Sequence, residues 1–217
     1  AAEIIGKGAE KYAYHVKGVE MYGGDPRGLS GTALSYAVSL RGGDFTSVYP
    51  IPEFRYSPER AEKEFGSRKA VDFKATEGKG AMVRFCMMVS SIIDSIGVCK
   101  VAVLSVANHF DLKMEAQMVN VFAGFDLTPE DFFRIGERIV NMEKMFNLRH
   151  GATKTMDTLP DKFTKEPVSE GPSKGTYANL EPMVDDFYKS MNWDDNGIPT
   201  LETLKKFDLD YNELEKL

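Results

Sequence analysis

The amino-acid sequence predicts an all-α, multihelical fold, and three observations support this prediction. Apolar residues recur with the 3.6-residue period of a helix along most of the chain. The period-two alternation of half-buried strands is almost absent. Glycine and proline clusters fall between the periodic segments. With 217 residues, of which 42% are hydrophobic, the chain can bury a sizeable core.

The first half of the chain is predicted to alternate short helices with turns. A short helix is expected within residues 8–22, before the Gly23-Gly24-Asp25-Pro26 turn. Residues 27–37 are rich in small side chains, which allow either tight helix packing or the approach of a flat ligand. Residues 42–58 contain three prolines and four aromatic residues and are predicted to form a packed loop. This loop ends where the Ser57-Pro58 pair begins a helix.

The second half of the chain is predicted to hold the longer helices. Residues 79–93 are apolar nearly all round, as expected for a helix in the middle of the core, and Asp94 lies at its end. An extended, polar surface arm is predicted over about 151–179. We expect the whole chain, residues 1–217, to form one all-helical region. Its further helices are predicted at 101–109, 114–123, 129–147 (capped by Thr128 with Asp131), 180–191 and 200–207.

Charge and composition exclude two classes of partner. The 27 basic and 33 acidic residues give a formal net charge of −6 without a lysine or arginine cluster, which argues against nucleic-acid binding. No apolar run reaches the ~18 residues that cross a bilayer, and the N-terminus lacks a signal-peptide pattern. We therefore expect a cytoplasmic protein with two reduced thiols, Cys86 and Cys99. Because the chain starts in ordered amphipathic sequence without an initiator methionine, we expect it to be part of a longer protein.

Several short patterns that suggest ligand binding are better explained by local structure. The glycines around Lys7 and around Lys79 lack the spacing of nucleotide-binding loops. Residues 192–197 copy the first half of a calcium loop, but Thr203 replaces the required glutamate, so a turn before the last helix is expected. The histidines are scattered singly and form no metal-ligand pair: His15, His109 and His150.

The segment Asp94-Ser95-Ile96-Gly97-Val98-Cys99-Lys100 combines an acid, a turn glycine and a thiol after an apolar helix. A carboxylate there would be costly unless it receives hydrogen bonds. A cysteine that follows a glycine turn, beside a lysine and near the start of the next helix, is placed where the thiolate is favoured. The alternative is an ordinary helix-end aspartate with an inert thiol, and the composition alone favours that alternative.

This segment resembles the DxxGLC motif of the aldehyde ferredoxin oxidoreductase family, with Val98 in place of the usual leucine. Other segments resemble the family's sequence in the same order and spacing. They are Lys17-Gly18-Val19-Glu20, Asp25-Pro26-Arg27-Gly28, Ala33-Leu34-Ser35-Tyr36-Ala37, Arg41-Gly42-Gly43-Asp44, Glu166-Pro167, Gly171-Pro172-Ser173-Lys174-Gly175 and Trp193-Asp194-Asp195-Asn196-Gly197-Ile198-Pro199-Thr200.

The resemblance implies a cofactor site. Family members hold tungsten between two pterin dithiolenes beside a 4Fe-4S cluster, and they oxidise aldehydes to carboxylic acids with ferredoxin as electron acceptor. By this resemblance, Cys99 is the fourth cluster ligand and Asp94 accepts N–H bonds from a pterin. Gly97 and Val98 bring their backbone close to the same ring.

Two departures from the family pattern limit what this chain can do. The CxxCxxxC run, the first pterin-binding motif and the β-rich N-terminal region of the family are absent from these residues. The isolated chain is therefore expected to hold neither cofactor and to be inactive. In addition, Phe45 stands where the family places a histidine near the metal, so no catalytic residue is assigned here.

The resemblance thus implies the helical C-terminal region of a longer tungsten-pterin enzyme. Its expected partners are its own N-terminal domains, ferredoxin and an aldehyde substrate, and a homo-oligomer is compatible with it. The alternative is a helical scaffold or electron-transfer subunit that keeps the fold without the chemistry.

Overall fold

The computed structural model describes residues 2–210, and this part of the chain is mostly helical, as predicted. Its α-helices are α1 (Ala2–Ile5), α2 (Ser30–Val38), α3 (Pro52–Arg55), α4 (Pro58–Phe65), α5 (Lys79–Ile96), α6 (Lys113–Ala123), α7 (Pro129–Arg149), α8 (Asp161–Thr164), α9 (Glu181–Ser190) and α10 (Leu201–Lys206). Short 3-10 helices span Ala9–Tyr12, Pro26–Gly28, Phe45–Ser47, Arg68–Val71 and Lys154–Met156, and a π-helix spans Val101–Val106. Among the described helices, none has both the length and the apolar character needed to cross a membrane.

Helix α5 forms the centre of the molecule. It is buried along most of its length, and α2, α7 and α9 pack against it. Two glycines allow this close approach. A Cβ atom on Gly80 would lie 2.4 Å from the backbone of α9, and one on Gly136 of α7 would lie 2.7 Å from the carbonyl oxygen of Met88. The apolar segment predicted to be the core helix is therefore the element around which the other helices are arranged.

The helix ends follow the predicted signals. Ser57 accepts a hydrogen bond from the Arg60 amide at the start of α4. Thr128 and Asp131 form a reciprocal capping box at the start of α7. The turn before α10 is held by Asp194, whose carboxylate accepts hydrogen bonds from the amides of Asn196 and Ile198.

The predicted helix within residues 8–22 is wrong. A 3-10 turn is followed there by a hairpin of two strands, β1 (His15–Val16) and β2 (Val19–Glu20). Lys17 and Gly18 connect the strands with φ angles of 51° and 81°. Two successive left-handed residues are typical of a tight hairpin turn and cannot continue a right-handed helix.

Two other predicted segments differ in detail. The loop predicted over 42–58 contains the short helix α3, whose first position is proline, a residue that is compatible with a helix start. The helix predicted over 101–109 is a π-helix over Val101–Val106, in which the Ala107 amide donates to the carbonyl of Ala102. A short π-helix distorts the regular ladder, and such distortions are frequent at functional sites.

The segment predicted as a surface arm, about 151–179, contains the Lys154–Met156 turn and α8. It contacts the Asp25-Pro26-Arg27-Gly28 segment directly. The Arg27 guanidinium donates to the carbonyl of Glu166 at 2.7 Å, and Gly28 lies so close to Ser173 that a Cβ atom would clash. Segments 25–28 and 166–175, which both resemble the family's sequence, are therefore in contact although they are far apart in the chain.

A buried ionic network lies at the start of the same segment. Asp157 is flanked by Lys17 Nζ at 2.7 Å and Lys144 Nζ at 3.3 Å, and Tyr188 donates a hydrogen bond to its Oδ2 atom. Lys17 also donates to the carbonyls of Ala37 and Ser39 at the end of α2. This network ties the hairpin, α2, α7 and α9 together.

Candidate functional site

The predicted site begins where α5 ends. The Gly97 amide donates to the carbonyl of Asp94 at 3.2 Å, and the Val98 amide donates to the carbonyl of Ile93 at 3.3 Å. This pair of bonds, with φ of 75° at Gly97, is a Schellman motif. Glycine suits this position because a side chain strains a left-handed backbone. The motif returns half-buried Val98 to the core and leaves the last turn of α5 at the surface.

Asp94 lies on this last turn, and its side chain is 53% exposed. Its Oδ2 atom is 2.6 Å from Lys100 Nζ. Within residues 2–210, no hydrogen bond reaches its Oδ1 atom. The sequence suggested that a charged carboxylate at this place would cost free energy unless it received hydrogen bonds. The structure shows that the side chain is exposed, so that solvent and Lys100 stabilise its charge.

Lys100 connects this helix end to the segment that contains Phe45. Its ammonium donates a second hydrogen bond, also of 2.6 Å, to the carbonyl of Thr46, and its side chain is 11% exposed. The structure therefore links Asp94, through Lys100, to the backbone of the turn that follows Phe45.

Phe45 opens a 3-10 turn that Asp44 caps by accepting a hydrogen bond from the Thr46 amide. Its half-buried ring is stacked on Tyr49 at 5.7 Å and lies 5.0 Å from the ring of Tyr22. A cavity of about 450 Å³ lies between this turn, strand β2 and Arg41. Position 45 therefore offers an aromatic ring to this cavity.

Two charged residues at this end of the molecule had no place in the predicted site. Arg41 and Glu143 line a small cavity of about 40 Å³ together with Asp94. Burial raises the pKa of Glu143, and Asp94 adds to the rise, while Arg41 and Lys100 oppose it. Arg41 lies within a segment that resembles the family. Glu143 carries no sequence signal, because it occupies an ordinary polar position of α7.

The two thiols have different environments. Cys99 is free and exposed in the turn between α5 and the π-helix. Cys86 is fully buried inside α5, and burial raises the pKa of its thiol well above the usual value. Only Cys99 can therefore reach a metal ion held outside the chain, because metal binding requires an accessible thiolate.

The donor set fits a group that is held jointly with another domain. Among the described residues, no group of three or more histidine, cysteine, aspartate or glutamate side chains could hold a metal ion. Within the described part of the chain, however, Oδ1 of Asp94 accepts no hydrogen bond, the thiol of Cys99 is exposed, and nothing lies within 4 Å of a Cβ atom placed on Gly97. A carboxylate suits pterin N–H groups, and a thiolate suits iron.

A larger cavity, of about 1010 Å³, lies elsewhere. It is bounded by residues 10–18 and by parts of 156–166, and none of the predicted site residues lines it. The cavity is therefore separate from the site built around Asp94.

A family model described as "Aldehyde ferredoxin oxidoreductase, domains 2 & 3" matches residues 1–209. The chain is 31% identical over 221 residues to a tungsten-containing aldehyde ferredoxin oxidoreductase of Pyrococcus horikoshii, covering 96% of this chain and 34% of that protein. The corresponding enzyme of Pyrococcus furiosus is 34% identical over 195 residues, covering 88% of this chain and 30% of that protein. The chain thus spans about a third of the length of these relatives.

Another relative carries a different name. The WOR-like subunit of an aliphatic sulfonate oxidoreductase of Pyrococcus furiosus is 29% identical over 216 residues, covering 94% of this chain and 29% of that protein. Among solved structures, the active-site complex BamBC of benzoyl-coenzyme A reductase matches with a TM-score of 0.67 at 20% identity. That match covers 99% of this chain and 36% of the other. At this identity it shows a shared fold.

Proposed function

The chain belongs to the aldehyde ferredoxin oxidoreductase family and matches its domains 2 and 3, and we propose that it is the helical C-terminal part of a tungsten-containing oxidoreductase. The observation that carries this proposal is the end of α5, where the carboxylate of Asp94 and the thiol of Cys99 are both exposed. A cofactor site shared with another domain needs an accessible carboxylate and an accessible thiol, and both are present here.

When bound, tungstopterin and the cluster would supply the oxidation of an aldehyde to a carboxylic acid and the transfer of the electrons to ferredoxin. The residues of this chain would help to bind and orient these cofactors. Asp94 would accept N–H bonds from a pterin, while Lys100 holds its Oδ2 atom and so restricts the orientation of the carboxylate. The space beside Gly97, where a Cβ atom would meet nothing within 4 Å, would let the backbone approach such a ring.

Cys99 would supply the fourth thiolate of the cluster, and the other three would come from the N-terminal part of the full-length protein. Cys86 has no such role, because its thiol is fully buried and its pKa is raised by that burial. One ligand from this chain would also join the helical region to the domain that carries the rest of the cluster.

Phe45 stands where the resemblance places a histidine, so the site lacks an imidazole at this position. Its ring lies among tyrosines, and burial raises the pKa of one of them, Tyr36, to about 12. The phenylalanine side chain itself can neither donate nor accept a proton, unlike the histidine it replaces. We therefore propose that the full-length enzyme oxidises simple aldehydes poorly or takes its acid–base group from another position. The sulfonate oxidoreductase relative supports a substrate other than a simple aldehyde.

The proposal is tested on the full-length enzyme by measuring tungsten, iron and viologen-linked oxidation of an aldehyde panel. Asp94→Asn is expected to lower the tungsten content, because the amide loses the charge that strengthens the N–H bonds of a pterin. Asp111→Asn is the matched control, since Asp111 is 59% exposed and pairs with Lys113. A wild-type enzyme without stoichiometric tungsten and iron would contradict the proposal.

The role of Phe45 has a separate test. Phe45→His should raise aldehyde turnover, since a positioned general acid or base contributes about 10²–10⁴-fold. Phe54→His is the control, because Phe54 is a partly exposed ring that pairs with Phe73 outside the site. Turnover of the unmodified enzyme comparable with that of histidine-bearing relatives would show that Phe45 does not mark a changed reaction.

A further inference from the structure

We propose that Lys100 is a positioning residue that holds Asp94, the Cys99 turn and the Phe45–Ser47 turn as one rigid unit at the cofactor end of the chain. This inference rests on the proposed function, because it concerns the same cofactor site. It assigns a role to a lysine that neither binds pterin nor ligates iron.

The geometry of the ammonium group supports this role. Lys100 Nζ lies 2.6 Å from Oδ2 of Asp94 and 2.6 Å from the carbonyl oxygen of Thr46, two acceptors on different elements. Its side chain is only 11% exposed. A lysine in open solvent samples many rotamers, whereas a lysine with two short, charge-assisted bonds at this burial is held in one place.

The position of Lys100 in the chain makes the link effective. Between Asp94 and Lys100 lie the Schellman turn at Gly97 and the exposed thiol of Cys99. The Lys100–Asp94 ion pair closes this seven-residue segment, 94–100, through side chains. The bond to Thr46 then fixes the closed turn against the loop that carries Phe45. Movement of either element would break one of the two bonds.

The charge of Lys100 has a consequence for the cluster. Among the described residues, Lys100 pairs with Asp94 and interacts electrostatically with Glu143, which also interacts with Arg41. A fixed cation on the residue next to Cys99 favours the more negative, reduced form of a cluster held by that thiolate. Removing the cation therefore shifts the cluster reduction potential to a more negative value.

The test uses the full-length enzyme with Lys100→Met, Lys100→Gln and Lys100→Arg. Lys113→Met is the control, because Lys113 is 72% exposed and lies 3.7 Å from its partner Asp111. The measurements are the cluster reduction potential, from a redox titration followed by electron paramagnetic resonance, and amide hydrogen exchange over residues 44–49. The exchange reports on the Thr46, Val48 and Tyr49 amides, which are hydrogen-bonded within the turn.

We expect the Met and Gln variants to show a more negative potential and exchange about tenfold faster in this turn, as for the loss of a hydrogen-bonded anchor. The Arg variant should restore most of both values, since it keeps the charge and two donors. If the Lys100→Met variant does not fold, the Lys100→Gln variant provides the comparison. The inference would be overturned if Lys100→Met and Lys100→Gln gave the same potential and exchange rates as Lys113→Met. It would also be overturned if Lys100→Arg changed both values as much as Lys100→Met does. A wild-type enzyme without a cluster contradicts the proposed function instead, and the hydrogen exchange then tests the Lys100 link by itself.

Discussion

Two lysine–aspartate pairs in this molecule have nearly the same length and different surroundings. Lys17 and Asp157 lie 2.7 Å apart, and Lys100 and Asp94 lie 2.6 Å apart. The side chain of Asp157 is 2% exposed, whereas that of Asp94 is 53% exposed. The distance between two charges therefore does not reveal the role of the pair. We call the buried Lys17–Asp157 pair the closed pair and the exposed Lys100–Asp94 pair the open pair. The closed pair stabilises the fold, whereas the open pair leaves a carboxylate oxygen that can accept a hydrogen bond from a ligand.

The closed pair is stabilised by several partners. Burial alone would raise the pKa of Asp157, but Lys17, Lys144 and Tyr188 outweigh it and hold the pKa below its ordinary value. Burial lowers the pKa of Lys17, although Asp157 opposes this effect. The three charges depend on one another, because a buried charge without a partner is costly.

Breaking the closed pair should have the largest effect on stability. Asp157→Asn leaves Lys17 and Lys144 buried without a counter-charge, and we expect a loss of about 3–5 kcal/mol in the free energy of unfolding. Urea denaturation of this chain measures the loss. The control is Asp161→Asn, which removes the exposed pair with Lys165 and should change stability by less than about 0.5 kcal/mol. Similar losses in both variants would remove the distinction between closed and open pairs.

Acid should weaken the closed pair in a defined direction. Because the folded pKa of Asp157 lies below its ordinary value of 3.8, its contribution is fully present above that pH. The contribution is lost as the pH falls through the folded pKa. Unfolding free energies measured from pH 5 downward should therefore fall less steeply for Asp157→Asn than for wild type. If the unfolding free energies of wild type and Asp157→Asn fell equally steeply with decreasing pH, Asp157 would not be held charged by its lysines.

Breaking the open pair should have the smallest effect on stability. Asp94→Asn in this chain is expected to change the unfolding free energy by less than about 1 kcal/mol, because more than half of the carboxylate side chain is exposed and solvent screens the pair. Thermal and urea unfolding of the variant test this. A loss as large as that of Asp157→Asn would give Asp94 a structural role and weaken its assignment to the cofactor.

The sequence was informative where the pattern is local. The apolar run in α5 and the capping box of α7 follow from neighbouring residues, and the structure confirms both. The hairpin at Lys17 was missed, because its left-handed turn lacks the usual asparagine or aspartate before glycine. The helix end at Gly97 was foreseen as a turn, but the exposure of Asp94 depends on how α5 is packed.

Contacts between distant residues could not be read from the sequence. The bond between Lys100 and the Thr46 carbonyl spans 54 positions, and no pattern in either segment predicts it. Glu143 was missed for the same reason, since its place beside Arg41 results from the packing of α7. The resemblance supplied the candidate residues, and the fold supplies the connection between them.

The central claim is that the exposed end of α5 completes a cofactor site, and the two cysteines test it most directly. In the full-length enzyme, Cys99→Ser should damage or abolish the electron paramagnetic resonance signal of the cluster. Cys86→Ser should keep the signal and cost about 1–3 kcal/mol of stability, because it places a hydroxyl in the buried interior of α5. An intact signal in Cys99→Ser, or a signal that requires Cys86, would contradict the claim.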